Sequence, residues 1–438
     1  MLTRQGYVTP FSSETKKELT VRAIENALGF RPPAFKVFRE TSKSLIVPQF
    51  YGLETCGPVH KDTRSEPVHV TIPFTGQLRE IQLEALSQYK GNGVLSLDVG
   101  FGKTVCALAL AARLGVRCLI IVHKEFLANQ WSERIAQFCP GCTVGRVQQD
   151  RCDLEHPFVI AMIQTLCSRE FPKGTFDSIG LVIVDEAHHV GAPAFSQAMF
   201  TMCPKYTLGL TATPDRKDGL TRVLYWFLGP CFYAKYRESS SEVRVLKIHH
   251  VHAEFRKPPP MSRIGKVCLA SMVNILVELP ERNELLVEII RDASVNHQVL
   301  VLSDRRSHCE WLVAQFGTRA GLYMGGMKQD DLNISACKRI IIGTFSLAHE
   351  GLDIATLSAI VLATPHSDVR QAVGRVLRKE GPKVVYDIVD SWSVMNAMWR
   401  KRARIYTECG FVFEEEEEER SRASIFQQGK CMITLDHA

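Results

Sequence analysis

A short apolar run, Val94 to Leu97, leads into Asp98-Val-Gly-Phe-Gly-Lys-Thr104, and an Ala/Leu-rich segment from Cys106 to Leu114 follows. Strand, glycine turn, helix is the context in which Gly-x-Gly-Lys-Thr cradles phosphate. Without Cβ atoms at Gly100 and Gly102, the turn around Phe101 can close its N–H groups on phosphate oxygens. The positive end of the following helix adds to that attraction. Lys103 is expected to reach the β/γ-phosphates and the Thr104 hydroxyl to ligate Mg²⁺. The fuller pattern has a glycine five residues before Gly102, where this chain has Leu97. On this segment alone, a bare glycine turn before a helix is the competing reading.

A strand–loop–helix of this kind belongs to α/β folds, and the rest of the chain alternates accordingly. From about Pro73 to Leu228, strands are expected at Val94–Leu97, Cys118–Val122, Phe158–Met162, Leu181–Val184 and Thr207–Leu210. Helices are expected at Lys103–Leu114, Glu125–Phe138 and Ala192–Met202. A three-proline run, Pro258 to Pro260, interrupts the alternation and suggests a linker. Alternation resumes with helix Glu284–Asp292, strand Gln298–Leu302 and helix Arg305–Phe316. Strands Leu322–Tyr323, Arg339–Ile342 and Ala359–Leu362, helix Val369–Leu377 and strand Val384–Ile388 complete it. This second α/β part has no phosphate loop of its own.

The expected organisation is therefore an accessory domain over 1–70, a nucleotide-binding lobe over 71–235, a linker region over 236–281, a second lobe over 282–411 and a tail over 412–438. In the accessory domain a short helix is expected at Leu19–Leu28. The tail carries six consecutive glutamates, Glu414 to Glu419, which read as a solvated helix or a disordered tail.

At 438 residues the chain can bury two or three cores, and its net charge of +6 permits a polyanionic partner without requiring one. The apolar runs are strand-sized, so no membrane span is expected. Met1 to Tyr7 lacks a signal-peptide profile. Fourteen cysteines scattered through apolar segments suit free thiols in an intracellular, reducing compartment. Cys139, Cys142, Cys152 and His156 offer zinc-compatible ligand types, but Cys142 opens an apparent strand and no second Cys-x-x-Cys pair exists, which favours plain thiols.

A phosphate loop needs a magnesium-binding acid on a buried strand. Leu181-Val-Ile-Val-Asp-Glu-Ala-His188 provides one, with Asp185 and Glu186 at the strand's C-terminal edge. Asp185 is expected to hold Mg²⁺, and Glu186 to orient and deprotonate the attacking water.

Asp185-Glu-Ala-His188 is a DEAH box, and Gly209-Leu-Thr-Ala-Thr-Pro-Asp-Arg216 resembles the third motif of superfamily 2 helicases and translocases. Gln371-Ala-Val-Gly-Arg-Val-Leu-Arg378 resembles their sixth motif; Gly343-Thr344 with Glu350-Gly-Leu-Asp353 resembles the fifth. The resemblance runs from about Phe74 to Gly410, points to the XPB/UvsW-like branch, and within it to the short helicases of large DNA viruses.

That resemblance implies two RecA-like parallel-sheet lobes in an α/β fold with a small N-terminal accessory domain, and ATP with Mg²⁺ as cofactors. Arg375 and Arg378, three residues apart on one helix face, would act as arginine fingers on the γ-phosphate. Gln371 would add a polar contact, and Asp353 a nucleotide or lobe-coupling contact. Phe74 to Gln82 resembles the adenine-side motif, through Arg79 and Gln82, though it also reads as a plain amphipathic helix start. Lys124, Thr165 and Thr344 would contact the nucleic-acid backbone, with Thr211, Thr213 and His188 coupling that track to the nucleotide. The implied activity is an ATP-dependent DNA helicase or translocase moving 3′ to 5′, expected to act as a monomer, with no membrane partner. RNA as substrate, or an ATP-gated clamp that does not unwind, are the alternatives. A nuclease is disfavoured, because no carboxylate cluster stands outside the ATP site.

Overall fold

The computed structural model describes residues 1–24, 32–98, 100–187, 193–212, 218–235, 243–262, 265, 267–345, 354, 356–367, 369, 373 and 381–414. The chain divides into two compact units, Met1–Tyr236 and Arg237–Ala438.

The first unit is built on an eight-stranded sheet. Its spatial order is Arg151–Cys152, Val144–Gln148, Phe158–Met162, Cys118–Val122, Leu181–Asp185, Tyr206–Thr211, Val94–Leu97 and Cys231–Lys235. All neighbours are parallel except the short Arg151–Cys152 hairpin. Central strands of such a sheet are covered on both faces, which is why they read as continuous apolar runs. Leu119, Ile121, Val182 and Val184 point to one face; Ile120, Val122, Leu181 and Ile183 point to the other. Helices Lys103–Leu114 and Glu125–Phe138 cover the second face with Cys106, Leu110, Leu127, Trp131 and Ile135.

The opposite face is covered by helices Ile163–Ser168 and Thr221–Leu228, with the N-terminal segment packed into the same core. Strands Leu2–Thr3, Gly6–Pro10, Ser44–Val47 and Arg39–Glu40 form an antiparallel sheet. Its Leu2, Tyr7, Leu45 and Val47, with Tyr51 from helix Gln49–Thr55, share one core with Ile121, Val184 and Trp226. The Tyr51 and Trp226 rings meet edge to face at 5.3 Å, and Arg39 donates to the carbonyls of Gln197 and Phe200. Residues 1–70, where the sequence suggested a small accessory domain, thus share the first lobe's core. A helix forms at Ser13–Glu18, which Ser12 caps by accepting from the Thr15 N–H at 3.2 Å; of the helix expected at Leu19–Leu28, residues 25–28 lie outside the described residues. Leu19 and Val21 are buried around exposed Thr20, and Thr20–Val21 pairs with Phe35–Lys36 as a strand.

The second unit contains a seven-stranded, wholly parallel sheet. Its order is Ala320–Tyr323, Ile340–Thr344, Val299–Ser303, Ala359–Leu362, Lys383–Asp390, Val243–His250 and Val412–Phe413. Two boundaries move here. Val243–His250, within the expected linker, pairs along its whole length with Lys383–Asp390. Val412–Phe413, within the expected tail, adds to the other side of the same strand. Arg244, Lys247 and two histidines interrupt that strand's apolar pattern, which hid it among polar residues. The proline run sits after it, between the short helix Ala253–Arg256 and helix Leu269–Glu278, inside the second unit.

Every described cysteine is a free thiol, and among the described residues no cluster of His, Cys, Asp or Glu is arranged to hold a metal ion. His156 is engaged instead by Thr143 at 2.8 Å and Asp153 at 3.0 Å. No helix among the described residues is long and apolar enough to cross a membrane.

Candidate nucleotide site

The parallel strands of the first unit end at one edge, where α/β sheets bind ligands. Register sets which residues meet there. Thr211 stands opposite Ser96 on the phosphate-loop strand, and Leu210 stands opposite Asp185. Strand Tyr206–Thr211 therefore lies between the loop and the acids, and its Thr211 is fully buried.

Gly100 and Gly102 have φ values of +89° and +82°, a left-handed conformation that glycine adopts without steric cost. Gly102 caps helix Lys103–Leu114, whose twelve residues supply the aligned dipole and free N–H groups at the loop. A Cβ at Gly102 would run into Gln82 Nε2 and lie 3.2 Å from Arg79 Nη2. Those two side chains hold the loop from outside. Arg79 Nη2 donates to the Gly100 carbonyl at 3.1 Å, and Gln82 Nε2 donates to the Phe101 carbonyl at 2.9 Å. Gln82 Oε1 also accepts from the Arg79 backbone N–H at 2.9 Å, satisfying that N–H at the start of helix Glu80–Ser87. With two loop carbonyls turned toward Arg79 and Gln82, these residues shape the cradle. An adenine edge would have to use what remains of the Gln82 amide.

Lys103 lies at the first position of the helix, and its Nζ donates to the Leu97 carbonyl at 2.8 Å. Thr104 follows it. Asp185 closes strand Leu181–Asp185 and is held on both oxygens: Glu186 N–H donates to Oδ1 at 3.0 Å, and Trp131 Nε1–H donates to Oδ2 at 3.0 Å. Burial first, and then the Glu186 charge, raise the Asp185 pKa; the Trp131 bond and the Lys103 charge oppose the rise. A carboxylate held in this state gains from a divalent cation. Glu186 has φ of +48°, an unusual conformation for a side-chain-bearing residue and one that concentrates at functional sites. The left-handed loop glycines, a lysine and a half-buried acid held beside it fit a magnesium–phosphate group. Thr104 and Asp185 are the residues that could hold the metal.

His123 follows the strand beside Asp185's, with Gln164 Nε2 donating to its carbonyl at 2.7 Å. Burial and then Lys124 lower the His123 pKa, while Glu186 and Asp185 pull the other way. This bond ties the two segments carrying Lys124 and Gln164-Thr165. Thr165 itself is buried, and its hydroxyl accepts the Gln149 N–H at 3.0 Å, so it faces inward rather than toward an open edge. Thr344 ends its strand in the second unit opposite Ser303. His188, Thr213, Asp353, Gln371, Arg375 and Arg378 lie outside the described residues, as does most of helix Val369–Leu377.

Trp131 was not singled out by pattern. Trp131 sits with Leu127, Ala128 and Ile135 on an apolar helix face and reads as core; only the fold brings its N–H to Asp185.

Residues 75–216 match the family model described as the type III restriction enzyme res subunit. A protein of Acanthamoeba polyphaga mimivirus, named as an ATP-dependent RNA helicase, is 30% identical across 92% of this chain and 83% of its own length. One from Invertebrate iridescent virus 6, named as a helicase, is 26% identical across 78% of this chain and 84% of its own. The crystal structure of T4 UvsW aligns with 79% of this chain and 78% of its own at 18% identity, with a TM-score of 0.33.

Proposed function

Since this chain belongs to the superfamily 2 helicases, related to short helicases of large DNA viruses, we propose that it is an ATP- and Mg²⁺-dependent DNA helicase or translocase. The observation that carries this reading is the convergence on one sheet edge of the glycine cradle, Lys103, and the acid pair Asp185–Glu186.

In this reading the loop N–H groups and Lys103 bind the β- and γ-phosphates. Thr104 and Asp185 would hold Mg²⁺, whose charge would offset that of the phosphate oxygens. Glu186 orients the attacking water and accepts its proton. Arg375 and Arg378, with Gln371, place positive and polar groups at the γ-phosphate, a contribution that reaches orders of magnitude in rate. Arg79 and Gln82 keep the cradle in shape. Lys124 and Thr344 contact the strand backbone without reading bases. Thr211, Thr213 and His188 link that contact to the nucleotide, with Asp353 as a further coupling residue. Polarity 3′ to 5′ and action as a monomer belong to the same proposal.

RNA is the second reading, and the name carried by the mimivirus relative favours it. Proteins distinguish the two chiefly at the sugar 2′-hydroxyl. Measuring ATP hydrolysis with single-stranded DNA, duplex DNA and RNA decides between them. Stimulation by DNA is expected; stimulation by RNA alone would replace the DNA assignment. An Arg375→Ala protein that hydrolyses ATP at the normal rate would remove the arginine-finger role. Strand displacement measured beside translocation separates a helicase from an ATP-gated clamp.

A further inference from the structure

Helix Glu125–Phe138 packs Trp131 into the core of the first unit, where the residue is 2% exposed. A buried indole has one donor and no acceptor, and it normally finds a partner for that donor. Here the partner is not a carbonyl. Trp131 Nε1–H points 3.0 Å from Oδ2 of Asp185, the carboxylate at the edge of the nucleotide-site strand.

The geometry of Asp185 gives this bond a consequence. The outer torsion of an aspartate is broad, so the strand alone does not fix its carboxylate plane. Two donors do: the backbone N–H of Glu186 on Oδ1 and the indole of Trp131 on Oδ2. Each oxygen keeps a second lone pair, and the bond to a rigid, packed ring fixes where those lone pairs point. Donors that orient a metal-binding carboxylate alter metal affinity without touching the metal.

We propose that Trp131 is a positioning residue for the divalent cation, acting through Asp185. The inference rests on the ATPase reading of the site. Lys103 and the loop would bind the phosphates and Thr104 the metal; Trp131 presets the acid that completes the metal's surroundings. Removing the indole N–H while keeping an aromatic ring weakens the metal and leaves the cradle intact.

The test is Trp131→Phe in the full chain, with Mn²⁺ binding followed by electron paramagnetic resonance in the presence of a non-hydrolysable ATP analogue. Nucleotide affinity in EDTA is measured alongside. The expected result is Mn²⁺ affinity lowered ~10-fold, unchanged affinity for the analogue in EDTA, and Mg²⁺ half-saturation of ATP hydrolysis raised ~10-fold with kcat restored at saturating Mg²⁺. Unchanged Mn²⁺ affinity and an unchanged Mg²⁺ dependence would overturn the proposal. A wild-type protein that binds no Mn²⁺ with the analogue would overturn the ATPase reading itself, and that is visible before any variant is made. Should Trp131→Phe not fold, the wild type supplies the test by nuclear magnetic resonance of its ¹⁵N-labelled indoles. One of the five tryptophan N–H signals should be protected from exchange and broadened by Mn²⁺ with the analogue; no broadened signal contradicts the assignment.

Discussion

Gln82 donates from Nε2 to the carbonyl of Phe101 across 2.9 Å, tying helix Glu80–Ser87 to the crest of the phosphate loop. Arg79 does the same to Gly100 at 3.1 Å. The loop is thus held from behind before nucleotide arrives. Preorganisation of this kind lowers the ordering cost of binding. Replacing Gln82 by alanine removes this hydrogen bond from the loop, a loss of about 0.5–1.5 kcal/mol. Nucleotide affinity should fall about 10-fold, since about 1.4 kcal/mol is a factor of ten. Titration with a fluorescent ATP analogue checks this.

Gly102→Ala should be more severe at the site than in the fold. At φ of +82° an alanine pays a left-handed cost of roughly 1–2 kcal/mol, and its Cβ collides with Gln82 Nε2. Nucleotide binding should be lost, while thermal unfolding stays cooperative with a modestly lower midpoint. Calorimetry beside the same titration separates the two effects.

These two residues also show what pattern could reach. Gly102 was legible because a left-handed turn needs glycine, and Lys103 and Asp185 because buried strands announce themselves as apolar runs. The apolar central strands of both sheets were readable for the same reason. Val243–His250 was not: Arg244, Lys247, His249 and His250 break its pattern, and only pairing with Lys383–Asp390 reveals it as an interior strand. The shared core of residues 1–70 and the first sheet was invisible too. Tyr51 meets Trp226 through tertiary packing, over a separation that no local spacing encodes. Trp131 was hidden because an indole on an apolar helix face looks alike whether or not its N–H has a function.

In the second unit Arg402 and Asp387 form a two-pronged pair, at 2.7 and 2.6 Å, with both side chains no more than 1% exposed. Tyr406 adds a hydroxyl donor to the same carboxylate at 2.8 Å. Arg402→Met leaves the Asp387 charge buried with one of its partners gone, and should destabilise the unit by about 3–5 kcal/mol. Urea unfolding measures it. Adding Asp387→Leu should recover part of that loss, because the uncompensated charge disappears with its partner.

His308 makes stability depend on pH. It is buried, bonded to Ser303 at 3.0 Å and Asn283 at 3.1 Å, and burial, then Arg282, push its pKa down to about 3 from 6.5. The unfolded chain therefore binds a proton between those values that the folded chain refuses. Its stabilising contribution is complete above about pH 6.5 and is lost as pH falls toward 3. Between pH 7 and 5 the wild type should lose stability relative to His308→Gln, with a slope of at most about 1.4 kcal/mol per pH unit. Denaturant midpoints of the two proteins across that range test the difference.

Hydrolysis of ATP by the cradle and the acid pair in response to nucleic acid is the reaction that defines the proposed motor. Its most direct test is the ATPase rate of the wild type and of Glu186→Gln, with and without single-stranded DNA or RNA, together with nucleotide affinity. Glu186→Gln should bind nucleotide as the wild type does and lose at least about 100-fold in stimulated turnover, the usual scale for losing a general base. A Glu186→Gln protein that turns over ATP at the wild-type rate, or a wild type whose rate no nucleic acid changes, would contradict the account.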